Sequence, residues 1–473
     1  MKKIPIAIAE GDGIGPEIMG AVKNILEASK APLEYHPVEI GEQVYLAGHK
    51  AGIEPKTWET IKNTKAFLKA PITTPQGGGF KSLNVTIRTT LGLYANLRPC
   101  VAYNPIVKTK HPGMDVVVVR ENEEDLYCGI EYRQTQNTNY ALKLISRQGS
   151  KKIIRYAFEY AKKNGRKKVT CFTKDNILKR TDGSFHDIFE RIAKEYPEIE
   201  NEHWIIDIGA AKLADTPEIF DVVVMPNLYG DILSDVAAQI AGSVGLAGSA
   251  NIGEFGAMFE AIHGSAPRRA GQNLANPSGL LLAAVLMLNH VGLPKEAETI
   301  HNAWLKTLED GIHTYDIFKE GFSKEKVGTK EFGDAVIARL GQKPTTLKAV
   351  SYEAAEKRKD TFTPLSFKAE KKTFDGVDLF FEFNGKPDEL AKQIEEAMLP
   401  MKLSNIFNRG VSVWPGGMAE TFLIDSWRCR FYGENKIAEC IEKLAKEGLE
   451  VVKTENLYSF DGEPGYTVSQ ERQ

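Results

Sequence analysis

The sequence predicts an α/β fold, with helices flanking a sheet, followed by a small α+β domain of ferredoxin-like type. Three observations carry this. Short apolar runs alternate with segments of helical periodicity over most of the chain. A charged stretch then breaks the alternation. Beyond that stretch the order β-α-β-β-α-β occurs once.

Ile4 to Ala9 is the first expected strand, ended by Gly11-Asp12-Gly13-Ile14-Gly15-Pro16. Pro16 suits a first helical turn, where its missing N–H needs no partner. Ile18, Val22, Ile25 and Leu26 then recur at helical spacing. Val116–Val119, Val169–Thr173 and Val222–Met225 read as buried strands, and Lys151–Lys163 and Asp231–Ile240 as helices. The apolar run Leu280–Leu288 falls far short of the ~20 residues of a membrane helix and reads as a buried helix. Between Gly129 and Ser150 lies a segment rich in Thr, Asn and Gln. Its polarity favours a surface loop over a small antiparallel arm that pairs with a second subunit.

From Lys348 to Lys372 nearly half the residues are charged, which is linker composition. Leu379–Phe383 then reads as a strand and Pro387–Met398 as a helix. Met401–Trp414 and Thr421–Tyr432 read as paired strands across Pro415-Gly416-Gly417. Glu434–Gly448 is a helix closed by a C-cap glycine, and Leu449–Thr454 a last strand. No catalytic motif stands out here. An assembly or stability module is the plain reading, ahead of a regulatory ligand site, and no aromatic strand of RNA-binding type is present.

With 473 residues there is room for two or three domains. Hydrophobic residues at 42% and charged residues at 26% exclude a wholly disordered chain. Sixty basic against 63 acidic residues leave a net charge of −3, without the basic excess of a dedicated nucleic-acid binder. Met1-Lys2-Lys3 and the following apolar run look like the start of a signal peptide, but Glu10-Gly11-Asp12 cuts the run short. The five cysteines form no CxxC pair and are odd in number, which points to a reducing interior, the cytoplasm.

Four stretches carry chemistry. Gly11-Asp12-Gly13-Ile14-Gly15 allows close backbone approach at a helix start, suiting an anion, or is simply a tight turn. Its GxGxG spacing is not the dinucleotide fingerprint. In the second stretch, Thr74 to Arg88, a glycine-rich loop opens into Ser82, Asn84 and Arg88, with Arg98 and Arg120 farther along. Converging guanidinium forks would suit a polycarboxylate; the alternative is unrelated surface arginines. In the third, Asn227 to Asp235, Asp231 and Asp235 are four apart and share a helix face. Two close carboxylates with oxygen ligands alone suit Mg²⁺ or Mn²⁺; otherwise Asp231 caps the helix and Asp235 is solvated. The fourth runs from Glu260 through His263-Gly264-Ser265-Ala266-Pro267-Arg268-Arg269 to Asn276, where the adjacent arginines suit a phosphate.

Together and in this order, the four stretches resemble the β-decarboxylating dehydrogenases of the isocitrate/isopropylmalate family, over about residues 1 to 345. Asn227 to Asp235 and His263 to Pro267 are its most specific motifs. The appended domain is similar to the C-terminal extension of some bacterial isocitrate dehydrogenases. The resemblance implies that family's own fold, not a Rossmann fold. Its large cofactor-binding domain would span 1–93 and 242–345, and its small domain 94–241, with a dimerisation arm near 127–150. A linker at 346–372 and the C-terminal domain at 373–473 would follow.

It further implies oxidative decarboxylation of isocitrate in the tricarboxylic acid cycle by a cytoplasmic homodimer with shared sites. Thr74, Ser82, Asn84, Arg88, Arg98 and Arg120 would hold the substrate. Polar Ser82 and Asn84 suit a third carboxylate, where an isopropyl group would want an apolar wall. Asp231 and Asp235 would bind Mg²⁺ or Mn²⁺ with Asp207 from the neighbouring subunit. Tyr127 and Lys174 would transfer protons, Lys174 also across the interface, with Asn176 assisting in the same cluster at the cofactor. His263, Gly264, Ser265, Ala266 and Asn276 would line the cofactor site. Arg268-Arg269 replace both the Asp of NAD-dependent relatives and the Lys-Tyr of many NADP-dependent ones. Two cations favour a 2′-phosphate, with Tyr315 and Lys319 as a second phosphate-contacting pair, so NADP is expected over NAD. NAD-dependent isocitrate or homoisocitrate oxidation, and a non-catalytic regulatory subunit, are the alternatives.

Overall fold

The computed structural model describes residues 3–74, 82–353 and 369–468. The glycine-rich loop at 75–81 and most of the charged linker (354–368) lie outside them. The chain divides into two units. Met1–Tyr127, Ile145–Ile177 and Asp182–Pro364 form the first; Cys128–Leu144, Leu178–Thr181 and Leu365–Gln473 form the second.

The first unit is built on one ten-stranded mixed sheet. From one edge, Leu33–Pro37, Ile4–Ala9, Ala66–Lys69 and Ala257–Ala261 run parallel. Gly248–Ile252 and Ala95–Val101 follow, each antiparallel to both its neighbours. Asp115–Glu121, Val222–Met225, Lys168–Thr173 and Glu200–Ile205 complete the sheet in parallel. Val116–Val119 and Val222–Val224 are fully buried, as expected of central strands covered on both faces. The apolar run at Leu280–Leu288 lies in the helix Ser278–His290. Among the described residues no helix is long and apolar enough to cross a membrane.

In the first unit two helices start four residues earlier than the sequence reading placed them. Helix Arg147–Lys163 starts earlier than Lys151, because the Ser146 hydroxyl accepts the Gly149 N–H at 2.9 Å and caps it. Helix Asn227–Ala241 starts four residues before Asp231, directly after Pro226. Asp231 therefore sits inside the helix and is not its cap.

In the second unit the sheet order is Val411–Trp414, Lys402–Asn408, Ser426–Tyr432, Lys372–Glu382, Val451–Phe460 and Glu463–Pro464. All pairs are antiparallel. The central four strands with helices Pro387–Ile394 and Ile437–Lys446 form the ferredoxin-like unit. Leu379, Phe381, Leu390, Ile394, Trp427 and Leu444 form its core. The strand expected over Met401–Trp414 is instead a hairpin. Arg409 and Gly410 both take positive φ (49° and 81°) and turn the chain back.

The segment expected as a surface loop is also a hairpin. Glu131–Arg133 and Asn139–Ala141 pair antiparallel, and their unit includes the C-terminal domain. Asp425 accepts from the Asn137 N–H and side-chain amide, both at 3.1 Å, and from the Thr138 hydroxyl at 2.8 Å. The polar side chains that suggested solvent face a carboxylate.

The chain from Thr345 to Leu347 is held by Glu309. Its carboxylate accepts three successive main-chain N–H groups at 2.7 to 3.0 Å and the Thr345 hydroxyl at 2.6 Å. Burial pushes this carboxyl up, but the Thr345 hydroxyl and these N–H groups outweigh it and bring it down to about 2, from an ordinary 4.5. Its contribution to stability is full above about pH 5 and lost as the pH falls through about 2. Glu309→Ala is expected to cost about 2 kcal/mol at about pH 7, with the gap to wild type narrowing at about pH 3. Urea unfolding at both pH values checks this.

Candidate functional site

The register of the sheet assembles a polar row on one face. Lys69 pairs with Glu260 across two strands, and Asn251 pairs with Asn96, which in turn pairs with Arg120. Arg98 lies two residues beyond Asn96 and so shares its face. Helix Leu83–Thr90 adds Arg88, and helix Asn227–Ala241 adds Asp231 and Asp235 one turn apart.

All of these but Asn96 and Asn251 line a cavity of about 310 Å³. Ser82, Asn84, Arg88, Arg98, Arg120, Tyr127, Asp231, Asp235, His263 and Gly264 line it, so the arginines are not unrelated surface residues. Lys69 and Glu260 line it too. Neither received a role in the sequence reading. The available signal was a single charge at the end of one apolar strand, Ala66-Phe67-Leu68-Lys69, and inside another, Met258-Phe259-Glu260-Ala261.

Charges alternate through the cavity. Glu260 accepts from Lys69 Nζ at 2.8 Å, Arg88 Nη2 at 3.0 Å and Asn251 Nδ2 at 2.9 Å. Burial pushes the Glu260 carboxyl up, but the Lys69 and Arg88 cations outweigh it and hold it far below the usual range. Arg120 donates to Asn227 Oδ1 through Nε at 3.0 Å and Nη2 at 2.8 Å, and Nη1 meets Asp231 Oδ1. Arg98 donates to Ser234 Oγ at 2.6 Å, Asp235 Oδ1 at 3.3 Å and Asp231 Oδ1 at 3.5 Å. Burial pushes both arginines down, and the other guanidiniums add to it.

The two aspartates differ. Burial raises both, but at Asp231 the Arg120 and Arg98 cations prevail and the carboxyl is lowered. At Asp235 burial prevails over Arg98 and the carboxyl is raised. The Tyr127 hydroxyl donates to Asp231 Oδ2, under the Arg120 guanidinium at 4.8 Å from its ring. Burial and then this bond to Asp231 push the phenol up, so it stays protonated at neutral pH.

The cavity also holds polar atoms with no hydrogen-bond partner among the described residues. Asn84 Oδ1, Arg88 Nε and His263 Nε2 are buried and unbonded. Their convergence is the mark of a ligand site. Asp231 and Asp235 supply oxygen donors alone, the set a hard divalent cation prefers.

The remaining expected residues lie elsewhere. Lys174 Nζ pairs with Asp207 Oδ1 at 2.7 Å, and Asn176 is exposed in the turn beside Lys174; none of the three lines the cavity. The Asp207 side chain is 67% exposed, with Ile208 beside it 48% exposed. At the other stretch, a Cβ on Gly13 would meet Ser265 O at 2.1 Å, and the Ile14 N–H donates to that oxygen at 2.9 Å. The first glycine motif is thus packed against the His263–Pro267 loop. Ser265 Oγ also lies 2.7 Å from Thr73 Oγ1, next to Thr74. Ala266 takes a left-handed φ of 39°. Arg268 and Arg269 are exposed, and the Arg269 guanidinium stacks 4.9 Å over Tyr315 and bonds its hydroxyl. Lys319 is exposed four residues on. Asn276 donates to Asp316 at 3.1 and 3.3 Å and accepts the Ser278 N–H, so its amide is engaged within the protein.

Residues 5–336 match the family described as isocitrate/isopropylmalate dehydrogenase. The chain belongs to this family. Residues 372–472 match the C-terminal domain of bacterial isocitrate dehydrogenase. Isocitrate dehydrogenase [NADP] of Rickettsia bellii is 53% identical over 98% of this chain and 99% of its own length. A crystal structure from Thermus thermophilus is 42% identical and superposes with a TM-score of 0.93, over 98% of this chain and 96% of that one. Isocitrate dehydrogenase from Methylococcus capsulatus superposes at 0.68 with 39% identity, over 72% of this chain and all of that one. The family match and the fold both agree with the expectation drawn from the four stretches.

Glu260 neutralises two buried cations at once, Lys69 and Arg88. Removing its charge leaves the buried Lys69 and Arg88 without the carboxylate that pairs with them. Glu260→Gln is expected to destabilise the protein by about 3 kcal/mol or more in urea unfolding. A loss under about 1 kcal/mol would contradict this account of the cavity.

Proposed function

We propose that this chain is an isocitrate dehydrogenase that oxidises isocitrate to 2-oxoglutarate and CO₂ with NADP. The observation that carries the reading is the cavity itself: Arg88, Arg98 and Arg120 converge on it, with Ser82 and Asn84 where an alkyl-specific relative would present an apolar wall. Three guanidiniums match a tricarboxylate. The full-length likeness to relatives named isocitrate dehydrogenase [NADP] supports it.

Asp231 and Asp235 would hold Mg²⁺ or Mn²⁺, with Asp207 of a second protomer completing the oxygen set. When bound, the cation supplies Lewis-acid stabilisation and NADP supplies the hydride acceptor. The chain's own residues do the rest. The arginines orient the carboxylates and hold the substrate where its C2 hydrogen can leave. Burial and charge keep those contacts strong in a site with little water. Tyr127 holds its proton at neutral pH and delivers it to the carbon that has lost CO₂. Lys174 of the second protomer relays protons with it, and Asn176 lies beside Lys174.

Arg268 and Arg269 carry the NADP preference. Arg269 is already stacked on Tyr315, which links the two residue pairs that would contact the phosphate, and Lys319 is exposed four residues beyond Tyr315. Cys100, Cys171, Cys429 and Cys440 are buried thiols outside any disulfide, which supports a reducing, cytoplasmic setting.

The exposed Lys174–Asp207 pair and its apolar neighbour Ile208 support a homodimer with shared sites. In such a dimer the pair would enter the other protomer's cavity.

Purified protein with Mg²⁺ or Mn²⁺ should reduce NADP with isocitrate, release CO₂, and do so faster than with NAD. Equal or better turnover with NAD would overturn the Arg268-Arg269 reading. Asp231→Asn and Lys174→Met should each abolish turnover alone. Mixed and refolded together in equal amounts, they should regain about a quarter of wild-type activity, because a two-fold hybrid dimer holds one intact site of two. No recovery on mixing refutes the shared site.

A further inference from the structure

The turn that carries Lys174 is held by two carboxylates to which the proposed chemistry gives no role. Asp182 is fully buried, at 0% exposure. Its Oδ2 accepts the Lys174 main-chain N–H at 2.7 Å and the Tyr229 hydroxyl at 3.1 Å. Tyr229 lies on helix Asn227–Ala241, two residues before Asp231. Asp182 and His186 are four apart on helix Thr181–Ala193 and share a face. His186 Nδ1 lies 2.7 Å from Asp175 Oδ2, so one helix face grips two successive residues of the turn, Lys174 and Asp175.

Asp175, His186 and His203 bring their ligand atoms within 4.8 Å of one another. The two imidazoles, however, stack with centroids 3.5 Å apart and planes 17° apart. Ring lone pairs lie in the ring planes, and two such planes do not meet on one ion bound at about 2 Å. His203 also lies 2.8 Å from the Thr173 hydroxyl. The cluster is a hydrogen-bonded brace.

We propose that Asp182 is a positioning residue for the Lys174 ammonium, tying its turn through Tyr229 to the helix that bears Asp231 and Asp235. This rests on the assignment of Lys174 to proton transfer. The lysine ammonium stands four methylenes from its backbone, so a small rotation at the root moves it far. Misplacing a reacting group by about 1 Å can cost on the order of a hundredfold in rate. A buried carboxylate is costly unless hydrogen-bonded. An acid in the first helical turn would serve the helix dipole equally well from the surface; Asp182 is instead buried between two elements that bear site residues. With Lys174 serving the second protomer and Asp231 serving its own, Asp182 spans two active sites of one dimer.

The test uses the full-length enzyme with isocitrate, NADP and Mg²⁺. Asp182→Ala, Asp182→Asn and Tyr229→Phe are compared with Lys174→Met. Asp182→Ala should lower kcat about tenfold or more, with KM for isocitrate and NADP within about twofold. Asp182→Asn keeps a carbonyl oxygen for both donors and should hold kcat within about threefold of wild type. Tyr229→Phe should lower kcat about threefold without moving the thermal midpoint. Wild-type kcat in Asp182→Ala overturns the proposal. So does an equal loss in kcat, KM and thermal midpoint, or an Asn variant as slow as the Ala variant. If Asp182→Ala fails to fold, Tyr229→Phe decides: a selective fall in kcat supports the proposal and an unchanged kcat overturns it. Wild-type kcat in Lys174→Met instead refutes the role of Lys174, and the positioning proposal falls with it.

Discussion

Three buried guanidiniums and a buried ammonium cannot share one cavity unless anions share it with them. Arg88, Arg98, Arg120 and Lys69 are each less than 9% exposed. Glu260 answers Lys69 and Arg88, while Asp231 and Asp235 answer Arg98 and Arg120. The strand register enforces the pairing, since Lys69 and Glu260 are partners across adjacent strands. An excess of positive charge is thereby built into the floor of the cavity before any substrate arrives. Among the described residues Arg88 Nε, Asn84 Oδ1 and His263 Nε2 have no hydrogen-bond partner, which on the proposed reading leaves them for the ligand.

The same constraint gives Asp231 two tasks. As the chain stands alone it neutralises Arg120 and accepts a hydrogen bond from the Tyr127 hydroxyl. In the proposed reaction its oxygens turn to a divalent cation, and an anionic substrate takes over the arginines. Each partner of Asp231 in the isolated chain therefore stands in for a ligand. The Lys174–Asp207 pair would do likewise in the proposed dimer, each group satisfying the other in the single chain. On this reading the site folds with most of its charges paired and would exchange those pairs for its ligands on binding.

Much of this was legible in the sequence for definite reasons. Valine runs at 116–119 and 222–224 can only be covered strands, and Asp231 and Asp235 four apart had to share a helix face. The motif order named the family before any distance was known. What was not legible depends on tertiary neighbours. The role of Glu260 is visible only when Lys69 lies across from it, 191 positions away in the chain. Gly13 looked like an anion cradle because nothing local shows that Ser265 O will sit against it. The turn at Arg409-Gly410 was missed because Arg409 adopts left-handed backbone geometry without being glycine or asparagine.

The hairpin at Glu131–Ala141 shows how polarity misleads when its partner is distant in sequence. Two strands of three residues each do not hold themselves together in water. Their support comes from the ferredoxin-like domain. Asp425 takes three bonds from Asn137 and Thr138, Gln134 donates to Val452 O at 2.7 Å, and Tyr140 meets Ser426 Oγ at 2.9 Å. Tyr140 also packs edge-on against Phe380, with Lys453 over its ring. Thr, Asn and Gln are what such an interface requires, because each supplies a short, directed donor to a fixed acceptor. The hairpin segment, Cys128–Leu144, belongs with the C-terminal domain to one unit. The domain thereby acquires a structural task that its own sequence could not reveal.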